Sequence, residues 1–255
     1  MNEPTYIERR RDGDVEYLVL NRPDVRNALN EDMIAEVAEW ARRTAADPQV
    51  RAVVIAGTGP SFCAGADLAW MTKMAGYTRD DNVRDARDAA AMFEAIDTLP
   101  VPVIARVHGA AIGGGAGLVA VADIALADES ATFGFTEVKL GLLPAIIAPY
   151  VLAKIGMSAA RELFVTGRRF HAERAREIGL VHAVVATDQL DRTVQQYLVE
   201  ILANGREAMS AAKTLLRQIA NRPVDAVTPL TTEAIAMRRV SEEAQERMRA
   251  FLKKK

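Results

Sequence analysis

The segment His108-Gly109-Ala110-Ala111-Ile112-Gly113-Gly114-Gly115-Ala116-Gly117 carries more architectural information than any other part of this 255-residue chain. The apolar run Pro102-Val103-Ile104-Ala105-Arg106-Val107 leads into it, and a second apolar run, 118–122, follows. This reads as strand, glycine turn, helix. Consecutive glycines leave backbone N–H groups uncovered by side chains, at a helix start where positive partial charge concentrates. Such a place can hold a phosphate, or an oxygen that becomes negative during a reaction. Spacing excludes two familiar glycine loops. A G-x-G-x-x-G fingerprint counted from Gly113 puts Leu118 in its last place, and Gly114 is followed by Gly115 and Ala116 rather than by Lys-Ser/Thr. Alone, the triplet would read as a close-packed helix start.

A second small-residue turn upstream changes that reading. Ser61-Phe62-Cys63-Ala64-Gly65-Ala66-Asp67-Leu68 follows the apolar run 52–56 and the turn Gly57-Thr58-Gly59-Pro60. Strand, small-residue turn and helix therefore occur twice. Here the chain resembles the enoyl-CoA hydratase/isomerase family, the crotonases. The resemblance rests on Asn21-Arg22-Pro23 with Asn27-Ala28-Leu29, on 62–68, on 109–115 with Asp123-Ile124, on Phe133-Gly134-Phe135-Thr136-Glu137, and on Leu140-Gly141-Leu142-Leu143-Pro144. It runs from about Tyr6 to the C-terminus. It implies an α/β fold, a crotonase-like spiral of ββα turns over 1–200 with a helical C-terminal region at 201–255. It also implies an acyl-CoA substrate, no cofactor beyond the coenzyme A of that substrate, and assembly as a homotrimer or dimer of trimers.

Bulk properties agree with a soluble enzyme. Half the residues are hydrophobic, 26% are charged, and the net charge is −2. That balance argues against a nucleic-acid or anionic-membrane surface. The single cysteine, Cys63, cannot form an internal disulfide, suits a reducing compartment, and reads as a packed thiol. Met1-Asn2-Glu3-Pro4 has no signal-peptide core, and no apolar stretch is long enough to span a bilayer. A cytoplasmic protein with no membrane partner is expected.

Strands are expected at 15–20, 52–56, 103–107 and 124–127. A helix should begin after Asn30, with Met33, Val37, Trp40 and Ala41 on its buried face. Helical patterns fill 80–96 and much of the chain after Pro144. The charges of 81–88 read as a solvated helix face, and 73–80 as a loop bordering the acyl pocket.

By motif match, the N–H groups of Ala66 and Gly114 are the implied oxyanion donors for a thioester carbonyl. Adding water to a conjugated thioester drives charge onto that oxygen, and one such donor is typically worth about 3–4 kcal/mol. Proton transfer needs a carboxylate. The family's hydratases often carry two glutamates. One matches Glu137; the other maps onto Gly117, which has no side chain. A lone carboxylate can take a proton from water and return it to C2, or shuttle a proton between two carbons. Ala64, Asp67, Leu68 and Gly113 flank the implied donors and, with Arg26, form the implied substrate-binding set. Asp67 also reads as a helix cap, and Lys73 as a stand-in for a family lysine absent at Ala69. Asp123 reads as a structural hydrogen-bond partner and His108 as packed. His171 and His182 lack metal-ligand spacing, so no metal is expected.

A narrower resemblance, to bacterial methylglutaconyl-CoA hydratases, lies in 66–71, 113–120 and 136–150. It implies 3-methylglutaconyl-CoA as substrate, space beside Gly117 for a branched acyl group, and a lysine or arginine in the acyl pocket. The alternatives are a same-fold isomerase or decarboxylase using Glu137 alone, and a silent acyl-CoA-binding protein.

Overall fold

Apolar runs that alternate between two cores build the central sheet. The structure, a computed structural model, describes residues 6–253. The chain opens as a hairpin of β1 (Ile7–Asp12) and β2 (Val15–Leu20). Arg9, Arg10 and Arg11 keep the outer strand exposed, and charge on an edge strand discourages further pairing. Asn30 caps α1 (Glu31–Ala46) by accepting the Met33 N–H, and Met33, Val37, Trp40 and Ala41 are buried along it. β3 (Ala52–Gly57), α2 (Leu68–Met74), α3 (Arg79–Asp97) and β4 (Val103–Val107) follow. Thr78 and Asp81 form a capping box that starts α3. The expected loop at 73–80 is thus narrower, because Lys73 and Met74 belong to α2 and residues 79 and 80 to α3.

Next come β5 (Ala110–Ile112), α4 (Gly114–Val121), β6 (Ile124–Asp128) and β7 (Thr132–Gly134). α5 (Ala148–Thr166), β8 (Arg169–His171), α6 (Ala172–Glu177) and β9 (Ala183–Val185) lead to α7 (Leu190–Ala203). Three helices close the chain: α8 (Arg206–Ile219), α9 (Val224–Val240) and α10 (Glu242–Leu252).

The main sheet runs β1-β2-β3-β4-β6-β9 and is parallel except for β1 against β2. Side chains alternate along β3. Val53 and Ile55 join the larger core with α1, α3 and α4, whereas Ala52 and Val54 join a smaller core with Leu190, Val194 and Leu198 of α7. Burial on both faces explains why this strand is a continuous apolar run. A second sheet runs β5-β7-β8, with β5 and β7 parallel and β7 and β8 antiparallel. Asp123 accepts the Val103 N–H at 2.8 Å and pairs with Lys213 of α8 at 2.7 Å, which ties the C-terminal helices to the sheet. No helix among the described residues is long and apolar enough to cross a membrane.

Candidate active site

Backbone pairing brings the two small-residue turns together. Cys63 and Ala111 form a parallel bridge, in which Cys63 N–H donates to Ala110 O and Ile112 N–H to Cys63 O. Three residues past that bridge on each segment stand Ala66 and Gly114. Ala66 forms a second parallel bridge with Leu29, but its bonds use the neighbouring Gly65 carbonyl and Asp67 N–H, at 2.7 and 2.8 Å. The pleat therefore turns the N–H of Ala66 away from Leu29. Gly114 is the first residue of α4, so its N–H has no acceptor within the helix. Neither N–H finds another acceptor among the described residues. Gly113 turns the chain into α4 at φ 53°, ψ −118°, which suits glycine. Gly115 is a close approach, because a Cβ there would lie 2.3 Å from the Cys63 carbonyl oxygen.

The small sheet delivers Glu137 to the same place. β5 and β7 pair in parallel with Ile112 opposite Gly134, and Gly113 N–H donates to Gly134 O at 2.8 Å. Phe135, fully buried against Phe164 and Phe170, anchors the next step of chain. Glu137 then opens a short 3-10 turn, closed at Gly141 and by a Leu142 N–H bond to the Glu137 carbonyl. A Cβ on Gly113 would lie 3.1 Å from Glu137 Oε1, so the carboxylate sits against the glycine turn. Its Oε2 is buried without a hydrogen-bond partner among the described residues. Burial pushes this carboxyl above the ordinary glutamate range, partly offset by its own backbone N–H. Ala66, Gly114 and Glu137 line one cleft of about 500 Å³. Its other walls are mostly apolar and include Leu29, Trp70, Phe93 and Ile147.

The sequence profile described as Enoyl-CoA hydratase/isomerase matches residues 10–255. The chain belongs to the enoyl-CoA hydratase/isomerase family. It is 32% identical over 244 residues to the crotonyl-CoA hydratase of Syntrophomonas wolfei, covering 93% of this chain and 91% of that protein. The structure of an enoyl-CoA hydratase from Shewanella pealeana superposes with a TM-score of 0.95 at 38% identity, over 98% of this chain and 94% of that one. An enoyl-CoA hydratase from Mycobacterium smegmatis gives 0.93 at 34% identity, over 99% and 98%. The crotonase fold and an acyl-CoA substrate class follow from this membership.

Within this crotonase, Gly113 joins Ala66, Gly114 and Glu137 at the turn, but the other expected substrate-binding residues stand outside the cleft walls. Arg26 is exposed, and its carbonyl accepts the Ala64 N–H at 2.9 Å. Leu68 is 80% exposed at the start of α2. Asp67 caps α2 by accepting the Ala69 and Trp70 N–H groups, and it pairs with Arg22 at 2.8 Å. Lys73 is paired with Glu31. Cys63 is buried, and burial pushes its thiol up to about 12 against a bond to the Gly65 backbone. His108 Nε2 donates to Gly59 O, and His182 Nδ1 accepts the Ala125 N–H.

Three expectations need correction. The space beside Gly117 is filled, because a Cβ there would fall 2.3 Å from Ile147 Cγ2 and 3.0 Å from Phe93 Cε1. The 81–88 charges are not all solvated. Asp85 lines the cleft, accepts the Trp70 Nε1–H at 3.1 Å, and has its carboxyl pushed up by burial, against that bond. The expected cation is missing from the acyl cleft, since its walls carry no lysine, arginine or histidine among the described residues. Sequence reading missed Phe93, Asp85 and Ile147 as wall residues. A buried stripe of Ala89, Met92, Phe93 and Ile96 along α3 was the available signal.

Proposed function

We propose that this chain hydrates 2-enoyl-CoA thioesters, with Glu137 as the only general acid–base and the Ala66 and Gly114 N–H groups as oxyanion donors. One observation carries the reading: a buried carboxylate oxygen without a partner shares a cleft with two backbone N–H groups that lack acceptors. Water attacks C3 while Glu137 Oε2 takes its proton. The electron pair of the double bond moves through C2 onto the thioester oxygen, where the two N–H groups stabilise the enolate. Glu137 then returns its proton to C2 on the same face as the new hydroxyl, so water adds with nothing left over. Apolar walls strengthen these interactions by excluding bulk solvent.

Isomerisation by Glu137 alone is the second reading. It is favoured by the apolar filling at Gly117, where Ile147 and Phe93 leave no second carboxylate beside the donors. Asp85, the other carboxylate of the walls, is engaged by Trp70. A silent binding protein is disfavoured, because burying an unpaired carboxylate is costly without a use for it. For the acyl group, the narrower sequence resemblance supports 3-methylglutaconyl-CoA. Ile147 and Phe93 fill the space beside Gly117, so the methyl branch would have to lie elsewhere along the apolar walls, and the second carboxylate, with no cation in those walls among the described residues, would have to remain solvated at the mouth.

The test is a panel of crotonyl-, 3-methylcrotonyl- and 3-methylglutaconyl-CoA in isotope-labelled water. Hydration removes the conjugated absorbance and adds the mass of one labelled water. Bond migration without mass gain would establish the isomerase, and binding without either change would establish the silent protein. Self-association into trimers belongs to the same proposal. α8 buries none of its residues, and Leu216, Val224, Met237 and Val240 are exposed on α8 and α9. Light scattering of the purified chain would give a monomer mass if this part is wrong.

A further inference from the structure

Ile147 occupies the volume that a side chain at position 117 would take. A Cβ on Gly117 would fall 2.3 Å from Ile147 Cγ2 and 3.1 Å from Ile147 Cβ, with Phe93 Cε1 at 3.0 Å. Gly114 lies one turn earlier on the same face of α4, and a Cβ there would meet Phe93 Cζ at 4.0 Å. The Phe93 ring therefore spans the helix face from the oxyanion donor to Gly117, and Ile147 closes its far end. Both side chains are only 3% exposed, whereas Leu142 and Leu143, on the same cleft, are 53% and 70% exposed. Phe93 and Ile147 are thus the floor, and the leucines are the mouth. A thioester oxygen held by the Gly114 N–H would bring the first acyl carbons close to Phe93, whose Cζ lies 4.0 Å from where a Gly114 Cβ would stand. Ile147 cannot swing aside easily, because its β-branched side chain is stiff and its backbone is held as the N-cap of α5, two residues before Pro149.

We propose that Ile147 is a specificity-determining residue that limits the length of acyl chain the cleft admits, by filling its floor beside Gly117. This rests on the acyl-CoA reading of the cleft but not on which reaction follows binding. Shortening the side chain would open a slot between Gly117 and Phe93 for further methylenes.

The test measures binding of butanoyl-CoA and octanoyl-CoA, which are saturated and cannot be hydrated, to the full-length protein by titration calorimetry. Wild type, Ile147→Ser and Ile147→Ala are compared, both of which remove the Cγ2 that faces Gly117. Ile147→Ala is expected to shift the ratio of affinities toward octanoyl-CoA by about tenfold or more, the scale at which fitted pockets discriminate a methylene. Ile147→Ser also removes Cγ2 and supplies a favoured N-cap for α5, so it should move the ratio the same way, and it decides the matter if the alanine variant does not fold. A ratio that stays within about twofold of wild type in the folded variants overturns the proposal. Wild type that binds neither thioester better than free coenzyme A overturns the acyl-CoA reading and the proposal together. A shifted ratio in a protein that hydrates nothing sinks only the hydratase reading.

Discussion

Replacing Gly117 by alanine adds one carbon where the structure has no room for it. The new Cβ would lie 2.3 Å from Ile147 Cγ2, far inside van der Waals contact, and 3.0 Å from Phe93 Cε1. Two effects oppose each other. Alanine in place of glycine in a helix favours folding by up to about 1 kcal/mol. Overpacking a filled core costs about 1–3 kcal/mol, and the short distance and the stiff β-branched neighbour put this site in the upper half of that range. The clash wins by about 1–2 kcal/mol, which lowers Tm by about 2–8 °C in a protein of this size. The cause is a single neighbour, so a double-mutant cycle isolates it. Ile147→Ala alone leaves a cavity and costs about 2–5 kcal/mol. The double variant should be more stable than the summed single costs predict, by about 0.5–3 kcal/mol. Urea unfolding of the four proteins measures all of this. Additivity of the two substitutions, or a Gly117→Ala protein as stable as wild type, would refute the claim that Ile147 fills this position.

The remaining expectations are these. Gly114→Val should abolish turnover while circular dichroism stays native, because its Cβ would lie 2.9 Å from Leu29 Cδ1 and its methyls would cover the N–H; an active, folded variant would remove Gly114 from the oxyanion site. Folding raises the Glu137 pKa, so the native state holds that proton more tightly than the unfolded chain. The resulting stability is present below the ordinary value of 4.5 and is lost as pH rises through the raised one. Glu137→Gln should therefore be more stable than wild type near neutral pH, with an advantage that shrinks toward about pH 4; a constant or reversed difference in Tm would contradict this. The same raised pKa predicts that wild-type kcat/KM, which reports the free enzyme, falls in acid with a midpoint above 4.5, as base-form catalysis requires. Asp67→Ala removes the α2 cap and the ion partner of Arg22, which keeps its bond to the Ala28 carbonyl. It should cost about 2–4 kcal/mol in urea unfolding, and Asp67→Asn should cost less.

The long elements were legible because each carries a local signal. Strands 15–20, 52–57 and 103–107 are apolar runs buried on both faces, and Asn30 and Asp67 announce the helices they cap. Glu137, Ala66 and Gly114 were legible through motif order, and the structure lines one cleft with all three. The short strands β5, β7 and β8 have three residues each, too few to show a period. The alternation of charge on α3 concealed Asp85, since a carboxylate half-buried against Trp70 looks like any solvated one in sequence. The filling of Gly117 by Ile147 was out of reach, because it joins α4 to the segment between β7 and β8 and depends on packing, not pattern.

The central claim is that Glu137 alone moves the protons. Its most direct measurement is the steady-state rate of Glu137→Gln on the enoyl-CoA thioester that wild type hydrates fastest, alongside the affinity of both proteins for the corresponding saturated thioester. Glutamine keeps the shape and hydrogen bonding of glutamate but cannot act as a base. The account predicts a kcat lower by about 10²–10⁴-fold, with acyl-CoA affinity close to wild type. A variant that still adds water at a rate near wild type would contradict it, because the proton transfers would then proceed without the Glu137 carboxylate.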